Sequence, residues 1–284
     1  MPTKIIDGKK LSEHILSSLA QEVTRLKKQG VTPKLAIVHV GEHQPSKTYI
    51  KRKEEAARLI GIDFELHSYP AETSKEDIVG YIKKIQKDKK LSGLIVQLPL
   101  PEPLFTAEVL NAIDPEVDVD CLTDGQLGKL VMKTNTIAPP TPGAVCEILE
   151  MLNIDVQGKH VVIVGAGALV GKPLSIMLLN KLATVTVCNS HTKNLKSITK
   201  KADIIVSAVG KKDLITKSHI KKGCVVIDTG IVFENKKMYG DVDFARVSKR
   251  ASYITPTPGG VGPVTVALLL KNTVTQAKKL KTKD

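Results

Sequence analysis

A buried-strand pattern followed by three closely spaced glycines constrains this chain more than any other feature. The strand is the β-branched run Val161–Val164, and the glycines are Gly165, Gly167 and Gly171. An apolar helical pattern follows directly, so the segment predicts a strand, a tight turn and a helix. Glycines let a backbone approach a pyrophosphate, and the free N–H groups at a helix start attract its charge. The spacing is one residue longer than the common dinucleotide fingerprint, so it favours nucleotide binding without establishing it.

The glycine-rich segment could also belong to a P-loop or to a purely structural turn. A P-loop has about four residues between its glycines and Ser or Thr after its lysine. Here five residues separate Gly165 from Gly171, and Pro173 follows Lys172, which excludes a P-loop. A purely structural turn stays open, but the strand pattern Ala183–Cys188 completes a βαβ unit and favours a nucleotide site.

The composition narrows the classes of protein to which this chain can belong. It has 284 residues, enough for one or two domains, and a net charge of +13 that raises the question of an anionic partner. The lysines are spread through helical patterns with few aromatic residues, which favours solvated helix faces over nucleic-acid binding. The four cysteines lie too far apart for metal-ligand pairs and are expected to be reduced. With no signal peptide or membrane-length apolar run, the sequence predicts a cytoplasmic protein that binds no metal, nucleic acid or membrane.

Strand and helix patterns alternate along the chain, which predicts an α/β fold with mostly parallel sheets. The predicted strands are Leu35–Val40, Ile62–Tyr69, Leu94–Val96, Val161–Val164, Ala183–Cys188, Asp203–Ser207, Cys224–Asp228 and an additional strand, Lys236–Val242. Ser46, Ser74 and Thr141 are predicted helix N-caps, and a C-terminal helix is predicted from Pro263.

Polar residues collect where the strands of the first half end. Ligands of open α/β sheets bind beyond the carboxyl ends of the strands. Gln97 follows one such end, and a helix beyond another carries Tyr49 and Lys53, four residues apart and therefore on one face. By spacing alone this pair is typical of an ordinary amphipathic helix. Asp118 and Asp120 follow on a loop, where the chain crosses towards the glycine-rich segment.

Seven short motifs, in order along the chain, together carry a family resemblance. They are Ser46-x-x-Tyr49-x-x-x-Lys53, Val96-Gln97-Leu98-Pro99-Leu100-Pro101, Asp118-Val119-Asp120, Thr141-Pro142, Val170-Gly171-x-Pro173, Gly240-Asp241-Val242-Asp243-Phe244 and Thr255-Pro256-x-Pro258-Gly259-Gly260-Val261-Gly262-Pro263. Over essentially its whole length the chain resembles the bifunctional methylenetetrahydrofolate dehydrogenase/methenyltetrahydrofolate cyclohydrolase family, called FolD in bacteria. With this resemblance, Tyr49 and Lys53 are better explained as site residues than as an amphipathic pair.

The resemblance implies two domains with a cleft between them. An N-terminal three-layer α/β domain, residues 1–138, would bind folate, and a C-terminal helix, residues 263–284, would complete it. Residues 139–262 would form a Rossmann-type NAD(P)-binding domain. Pairing through this second domain, with the strand Lys236–Val242 taking part, would make a homodimer.

The resemblance also implies a reaction and its catalytic residues. The family oxidises 5,10-methylenetetrahydrofolate with NADP and then hydrolyses the methenyl product to 10-formyltetrahydrofolate. Lys53 is the predicted acid/base, because a desolvated lysine can become neutral, and Gln97 would hold it by a hydrogen bond. Tyr49 would stack on or orient the folate, and Asp120 would accept hydrogen bonds from the pterin amino group and ring N–H.

Further residues are implied to bind the folate and the cofactor. Those for folate are Tyr49, Leu98, Pro99, Asp120, Pro258, Gly259 and Gly260. Those for the cofactor are Gly165, Ala166, Gly167, Ser190 and Ile231. Folates in cells often carry a polyglutamate tail, which lysines near the site could attract.

Four residues depart from the family pattern. Cys121 stands where the family usually has Gly, Ala166-Gly167 replaces Arg-Ser, and Asn189 replaces His. The predicted cofactor is therefore NADP, with NAD as the alternative. An NAD-preferring monofunctional dehydrogenase and a catalytically dead folate-binding paralogue are the alternative functions.

Overall fold

The computed structural model describes residues 2–235 and 237–280, which form two compact units. One holds Glu13–Pro140 together with the chain from Val266 onward, and we call it the Lys53 unit. The other holds the residues up to Ser12 together with Thr141–Thr265, and we call it the glycine-turn unit. The sequence places the residues before Glu13 in the folate-binding domain, whereas the structure groups them with the glycine-turn unit.

Strands and helices alternate through the described ranges. The strands are β1 (Lys4–Ile5), β2 (Lys34–Val40), β3 (Asp63–Tyr69), β4 (Gly93–Val96), β5 (His160–Val164), β6 (Thr184–Cys188), β7 (Ile204–Ser207), β8 (Val225–Asp228), β9 (Val232–Glu234), β10 (Lys237–Tyr239) and β11 (Tyr253–Ile254). The helices are α1 (Gly8–Lys28), α2 (Gln44–Leu59), α3 (Lys75–Ile85), α4 (Ala107–Asn111), α5 (Asp124–Val131), α6 (Pro140–Met151), α7 (Gly171–Asn180), α8 (Leu195–Thr199), α9 (Phe244–Val247) and α10 (Val261–Leu280). A short 3₁₀ helix spans Lys217–His219.

The Lys53 unit is organised around a parallel sheet with the strand order β3-β2-β4. The run Leu35–Val38 on the central strand is fully buried, as expected for a parallel strand covered on both faces. Ala36 and Val38 pack in one cluster with Ile78 and Ile82 of α3. The parallel pairing of β2 with β4 places the carboxyl ends of these two strands side by side.

The glycine-turn unit contains a six-stranded parallel sheet with the order β1-β11-β8-β7-β5-β6. Its core includes Val162, Ile205 and Val226, which are fully buried and come from three adjacent strands. Helices alternate with the parallel strands in both units, which confirms the predicted two-domain α/β class.

Three local predictions from the sequence are wrong in detail. The single strand predicted at Lys236–Val242 is the second arm of an antiparallel hairpin, β9–β10, whose first arm the sequence analysis missed. Lys236 itself lies outside the described residues. Helices α2 and α6 begin at Gln44 and Pro140, before the predicted caps Ser46 and Thr141, because a proline fits the first turn of a helix.

Ser74 is the N-cap of α3 as predicted, and its hydroxyl accepts the backbone N–H of Asp77 at 3.1 Å. All four cysteines are buried and unpaired. Within the described ranges, no helix is both long enough and apolar enough to cross a membrane.

Candidate active site

Tyr49 and Lys53 lie half-buried on α2, one helical turn apart. Ser46 is buried in the first turn of the same helix, where its hydroxyl lies 2.9 Å from Nδ1 of His43. The Ser46 hydroxyl also donates to the carbonyl oxygen of Leu98 at 3.4 Å. These contacts hold the start of α2 against the loop that follows β4.

Gln97 orients the amine of Lys53. Its backbone N–H donates to the carbonyl oxygen of Val38 at 2.8 Å, which places it at the end of the sheet. Its Oε1 accepts a hydrogen bond from Nζ of Lys53 at 2.9 Å, and its Nε2 donates to the carbonyl oxygen of Leu98 at 2.7 Å. Because Nε2 is engaged by a carbonyl, the amide presents its oxygen to Lys53. Gln97 therefore positions the amine without placing a charge beside it.

A second aspartate shapes the loop that carries Asp120. Asp118 is fully buried, and its backbone forms a parallel bridge with Leu94 of β4. Its carboxylate accepts the backbone N–H of Thr123, the N-cap of α5, at 2.8 Å. Cys121 has a φ of 57°, the left-handed conformation that glycine adopts readily. The loop thus keeps a glycine-like backbone although its residue is cysteine.

Burial controls the protonation of these groups. Burial lowers the pKa of Lys53, and the charge of Asp120 partly opposes that change. Burial raises the pKa of Asp120, with Lys53 opposing and Asp118 reinforcing the change. Burial likewise raises the pKa of Tyr49, whose ring centroid lies 5.9 Å from the guanidinium carbon of Arg52. The amine and the carboxyl group therefore have easier access to their neutral forms than they would in water.

This cluster is suited to proton transfer. A neutral amine can accept a proton from an attacking water and return it to a departing group.

The half-buried Leu98 and the exposed Pro99 follow Gln97 directly. Among the described residues, no group of three His, Cys, Asp or Glu side chains has an arrangement that could hold a metal ion.

The turn between β5 and α7 is closed by direct backbone packing. A Cβ at Gly165, where φ is +116°, would lie 2.3 Å from the carbonyl oxygen of Ala208. A Cβ at Gly171 would lie 1.9 Å from the carbonyl oxygen of Gly165, so neither position accepts a side chain. At Gly167 the space is open, with no atom within 4 Å of where a Cβ would be. An open backbone loop leading into a helix suits an anionic pyrophosphate.

The segment after β6 is a tight polar turn. The side-chain oxygen of Asn189 accepts the backbone N–H of His191 at 2.9 Å, and the backbone N–H of Asn189 donates to the hydroxyl of Thr192 at 2.8 Å. Ser190 is exposed between them. NAD-selective folds place an acidic residue near this point to bind the ribose hydroxyls. This chain has the uncharged Asn189 and Ser190 there.

Two buried aspartates, to which the sequence analysis gave no role, hold the loops around Ile231. The carboxylate of Asp228 accepts backbone N–H groups of Gly230, Asp241 and Val242 at 3.0–3.1 Å. The carboxylate of Asp241 accepts the hydroxyl of Ser207 and the backbone N–H groups of Val209 and Lys211 at 2.7–2.8 Å. Burial raises the pKa of Asp228 to about 7. In the sequence, the trace of this arrangement is the glycine that opens the Gly240 motif. A glycine is needed there because a Cβ would lie 1.9 Å from the Asp228 carboxylate.

The predicted site residues divide between the two units. Those in the Lys53 unit are Tyr49, Lys53, Gln97, Leu98, Pro99 and Asp120. Those in the glycine-turn unit are Gly165, Ala166, Gly167, Ser190, Ile231, Pro258, Gly259 and Gly260. Within the first group, the structure shows a direct hydrogen bond between Lys53 and Gln97 and an electrostatic interaction between Lys53 and Asp120.

Comparison with known families accounts for both units. Residues 6–120 match the catalytic domain of tetrahydrofolate dehydrogenase/cyclohydrolase, and residues 139–281 match the NAD(P)-binding domain of the same family. The chain belongs to the tetrahydrofolate dehydrogenase/cyclohydrolase family.

Members of the tetrahydrofolate dehydrogenase/cyclohydrolase family match nearly the whole length of this chain. The bifunctional protein FolD of Nautilia profundicola is 48% identical over 275 residues, which are 96% of this chain and 97% of that protein. The crystal structure of the Campylobacter jejuni bifunctional FolD enzyme has a TM-score of 0.95 and 39% identity, covering 98% of this chain and 99% of that one. The Trypanosoma brucei FolD structure, in complex with NADP cofactor and an inhibitor, has a TM-score of 0.94 and 37% identity, with the same coverage.

Proposed function

We propose that this chain is a bifunctional folate enzyme. It oxidises 5,10-methylenetetrahydrofolate to 5,10-methenyltetrahydrofolate with NADP and then hydrolyses the product to 10-formyltetrahydrofolate. The observation that carries the proposal is the half-buried amine of Lys53, 2.9 Å from Oε1 of Gln97, with its pKa lowered by burial. Family membership supplies the substrate class.

In the oxidation, this chain binds and orients the folate. Asp120 accepts hydrogen bonds from the pterin amino group and ring N–H. Its ionised form accepts both, and a protonated Lys53 favours that form against the opposing effect of burial. Tyr49 stacks on or orients the folate, beside Leu98 and Pro99. We also propose that the turn Pro258–Gly260 binds folate. The bound nicotinamide cofactor supplies the hydride acceptor.

In the hydrolysis, Lys53 moves the protons. Loss of a hydride leaves an amidinium-like cation, which water attacks. The neutral amine of Lys53 takes one proton from that water and delivers it to the departing ring nitrogen as the ring opens, and the second water proton leaves to solvent as the formyl carbonyl forms. Gln97 keeps the amine oriented. Its amide oxygen accepts a hydrogen bond from the Lys53 amine, and the amide is itself fixed because its nitrogen donates to the carbonyl oxygen of Leu98.

The glycine-turn unit fits a dinucleotide. Gly165 and Gly171 admit no side chain, and the open backbone around Gly167 leaves room for a pyrophosphate at the start of α7. Ala166 carries no charge for a 2′-phosphate, while Ser190 can donate a hydrogen bond to one. We therefore propose NADP as the preferred cofactor and NAD as a weaker one.

One assay tests the reaction and the cofactor together. The purified protein is mixed with 5,10-methylenetetrahydrofolate and either NADP or NAD, and the absorbance of the methenyl product is followed as it forms and decays. Formation followed by decay supports both activities. Formation without decay supports a monofunctional dehydrogenase, and no absorbance change with either cofactor would contradict the proposal.

The substrate is proposed to carry a polyglutamate tail. Exposed lysines and a net charge of +13 would attract the tail, and salt would screen that attraction. The KM for a polyglutamylated substrate should then rise more steeply with added salt than the KM for the monoglutamate. Equal salt slopes would mean that the lysines only solvate the surface.

The protein is further proposed to be a cytoplasmic homodimer. Its four buried, unpaired cysteines suit a reducing compartment. The hairpin β9–β10 exposes Phe233, which is 44% accessible and suits a contact between two glycine-turn units. Light scattering on Phe233→Glu beside the parent protein tests this: a dimer that becomes monomeric supports pairing through the hairpin, and an unchanged dimer contradicts it.

A further inference from the structure

We propose that the N-terminal strap, residues 3–12, positions the turn Pro258–Gly260, and that Gly8 is the positioning residue through which it acts. The inference rests on the proposed function, in which this turn binds folate. Gly8 lies outside the motifs that carry the family resemblance.

The strap is fixed to the glycine-turn unit on both sides of the turn. Before it, β1 pairs with β11, and the backbone N–H of Ile6 donates to the carbonyl oxygen of Ile254 at 2.8 Å. After it, the buried hydroxyl of Ser12 donates to the carbonyl oxygen of Pro263 at 3.0 Å. The strap therefore has little freedom to move away from the segment between Ile254 and Pro263.

Gly8 meets the turn at its closest point. Its backbone N–H donates to the carbonyl oxygen of Gly259 at 2.9 Å. A Cβ on Gly8 would lie 1.6 Å from the carbonyl oxygen of Gly260 and 2.8 Å from that of Gly259. These distances are far inside van der Waals contact, so a side chain at this position must displace the strap or the turn. Because the strap is held at both ends, we expect the turn to move.

The turn has one packed part and one open part. Gly260 is buried, whereas Pro258 is exposed and Gly259 is half-buried. No atom lies within 4 Å of where a Cβ on Gly259 would be, so this part of the turn is open to a ligand. A displacement caused at Gly260 passes to Gly259 and Pro258 through a single peptide unit each. Gly8 thus determines the positions of Gly259 and Pro258.

The cofactor turn is remote from the strap in the same sheet. It follows β5, and three strands, β11, β8 and β7, separate β5 from β1. A change at Gly8 should therefore affect folate and leave the cofactor nearly unaffected. This separation distinguishes positioning of the turn from general loss of structure.

The test compares Gly8→Ala with Gly80→Ala. Gly80 lies on α3 with no atom within 4 Å of where its Cβ would be, so the same exchange there is harmless. In Gly8→Ala the KM for methylenetetrahydrofolate should rise about tenfold or more, since a misplacement on the order of 1 Å at a positioning segment can reduce rates up to about a hundredfold. The dissociation constant for NADP, measured by calorimetry, should stay within about twofold. Gly80→Ala should match the parent protein in both.

Two results would overturn the inference. One is a folded Gly8→Ala protein with the parental folate KM. The other is a parallel loss of folate and NADP affinity, which would indicate a merely structural role. If Gly8→Ala does not fold, Asp7→Ala decides the question, because Oδ1 of Asp7 accepts the backbone N–H groups of Lys9 and Lys10 at 3.1 Å and so fixes the strap at Gly8. Loss of this cap frees the strap at Gly8, so the folate KM should rise about fivefold, and an unchanged KM would overturn the inference.

A failure of the proposed function would look different. If the parent protein oxidises no methylenetetrahydrofolate, the proposed function fails whatever Gly8 does. Calorimetric binding of tetrahydrofolate to the parent protein and to Gly8→Ala then tests the strap directly. Equal affinities would overturn the inference without reference to catalysis.

Discussion

The Lys53 unit builds its candidate site from side chains, whereas the glycine-turn unit builds its site from backbone. In the first, an amine, an amide and a carboxyl group interact, and burial sets their protonation. In the second, Gly165 and Gly171 are needed because they carry no side chain, which lets the backbone pack closely around them. The carboxylates of Asp228 and Asp241 act there by binding backbone N–H groups.

The difference determines what substitutions should do in each unit. Removing a side chain from the Lys53 unit removes chemistry while the backbone stays in place. Adding a side chain to the turn of the other unit moves the backbone itself, so binding and stability change together. Four substitutions should separate these two behaviours.

The largest effect is expected at Lys53. Lys53→Met keeps most of the length of the side chain but removes the amine, and general acid–base catalysis is worth roughly a hundredfold to ten-thousandfold. Cyclohydrolase activity, followed as decay of methenyltetrahydrofolate, should fall by that amount while folate still binds. Lys51→Met, an exposed lysine on the same helix, is the matched control. Parental hydrolysis rates in Lys53→Met would remove Lys53 from the mechanism.

The next effect concerns a charge added to the backbone-built turn. Ala166→Arg should provide a charged partner for the 2′-phosphate of NADP, and a charge-assisted hydrogen bond is worth about 1.5–3 kcal/mol. The NADP-to-NAD ratio of kcat/KM should therefore rise roughly tenfold to a hundredfold. An unchanged ratio would show that the 2′ position is recognised by other residues.

A smaller effect is expected when the turn is overpacked. Gly171→Ala places a Cβ 1.9 Å from the carbonyl oxygen of Gly165, and overpacking of this kind typically destabilises a protein by about 1–3 kcal/mol. Urea unfolding and NADP titration should both weaken, in contrast to Lys53→Met. If stability falls but NADP affinity does not, the turn is structural and the dinucleotide binds elsewhere.

The smallest effect is a pH dependence at Asp228. Burial raises its pKa to about 7 in the folded state, against about 3.9 in an unfolded chain. The folded state thus binds more protons between these values, so stability is greatest below the unfolded pKa and falls as pH rises towards 7. Between pH 6 and 7 the loss should be about 1 kcal/mol. In Asp228→Asn, which does not titrate, urea unfolding should lose this slope, and an unchanged slope would assign it to another group.

The side-chain site could be predicted from sequence more fully than the backbone site. Lys53 and Gln97 have side chains with a specific chemistry, and their positions after neighbouring strands indicated that they could meet. The hydrogen bond between them is found in the structure. The sequence does not distinguish the structural Asp118 from Asp120, because the burial of Asp118 depends on a bridge to Leu94 that no local pattern reveals.

Long-range pairing explains most of what the sequence could not provide. The two-residue strand β1 is too short for a periodic signal, and its partner lies at the other end of the chain. The role of Asp228 depends on Asp241 and Val242, which follow it by 13 and 14 residues, after the hairpin β9–β10. The helix starts at Gln44 and Pro140 are hard to predict for a local reason. Ser46 and Thr141 are residue types that favour the N-cap position, but in this chain they lie inside the first helical turn.

The pairing of β1 with β11 also has a consequence during protein synthesis. Lys4 pairs with Tyr253, so the first strand made waits for one of the last. Ribosomes add roughly 5–20 residues per second, which makes that interval roughly 12–50 s. During this time β1 has no partner strand, and the strap lacks the turn Pro258–Gly260 against which it packs. A ribosome-stalled chain that ends before Tyr253 should therefore bind no folate and should remain sensitive to protease at residues 3–12.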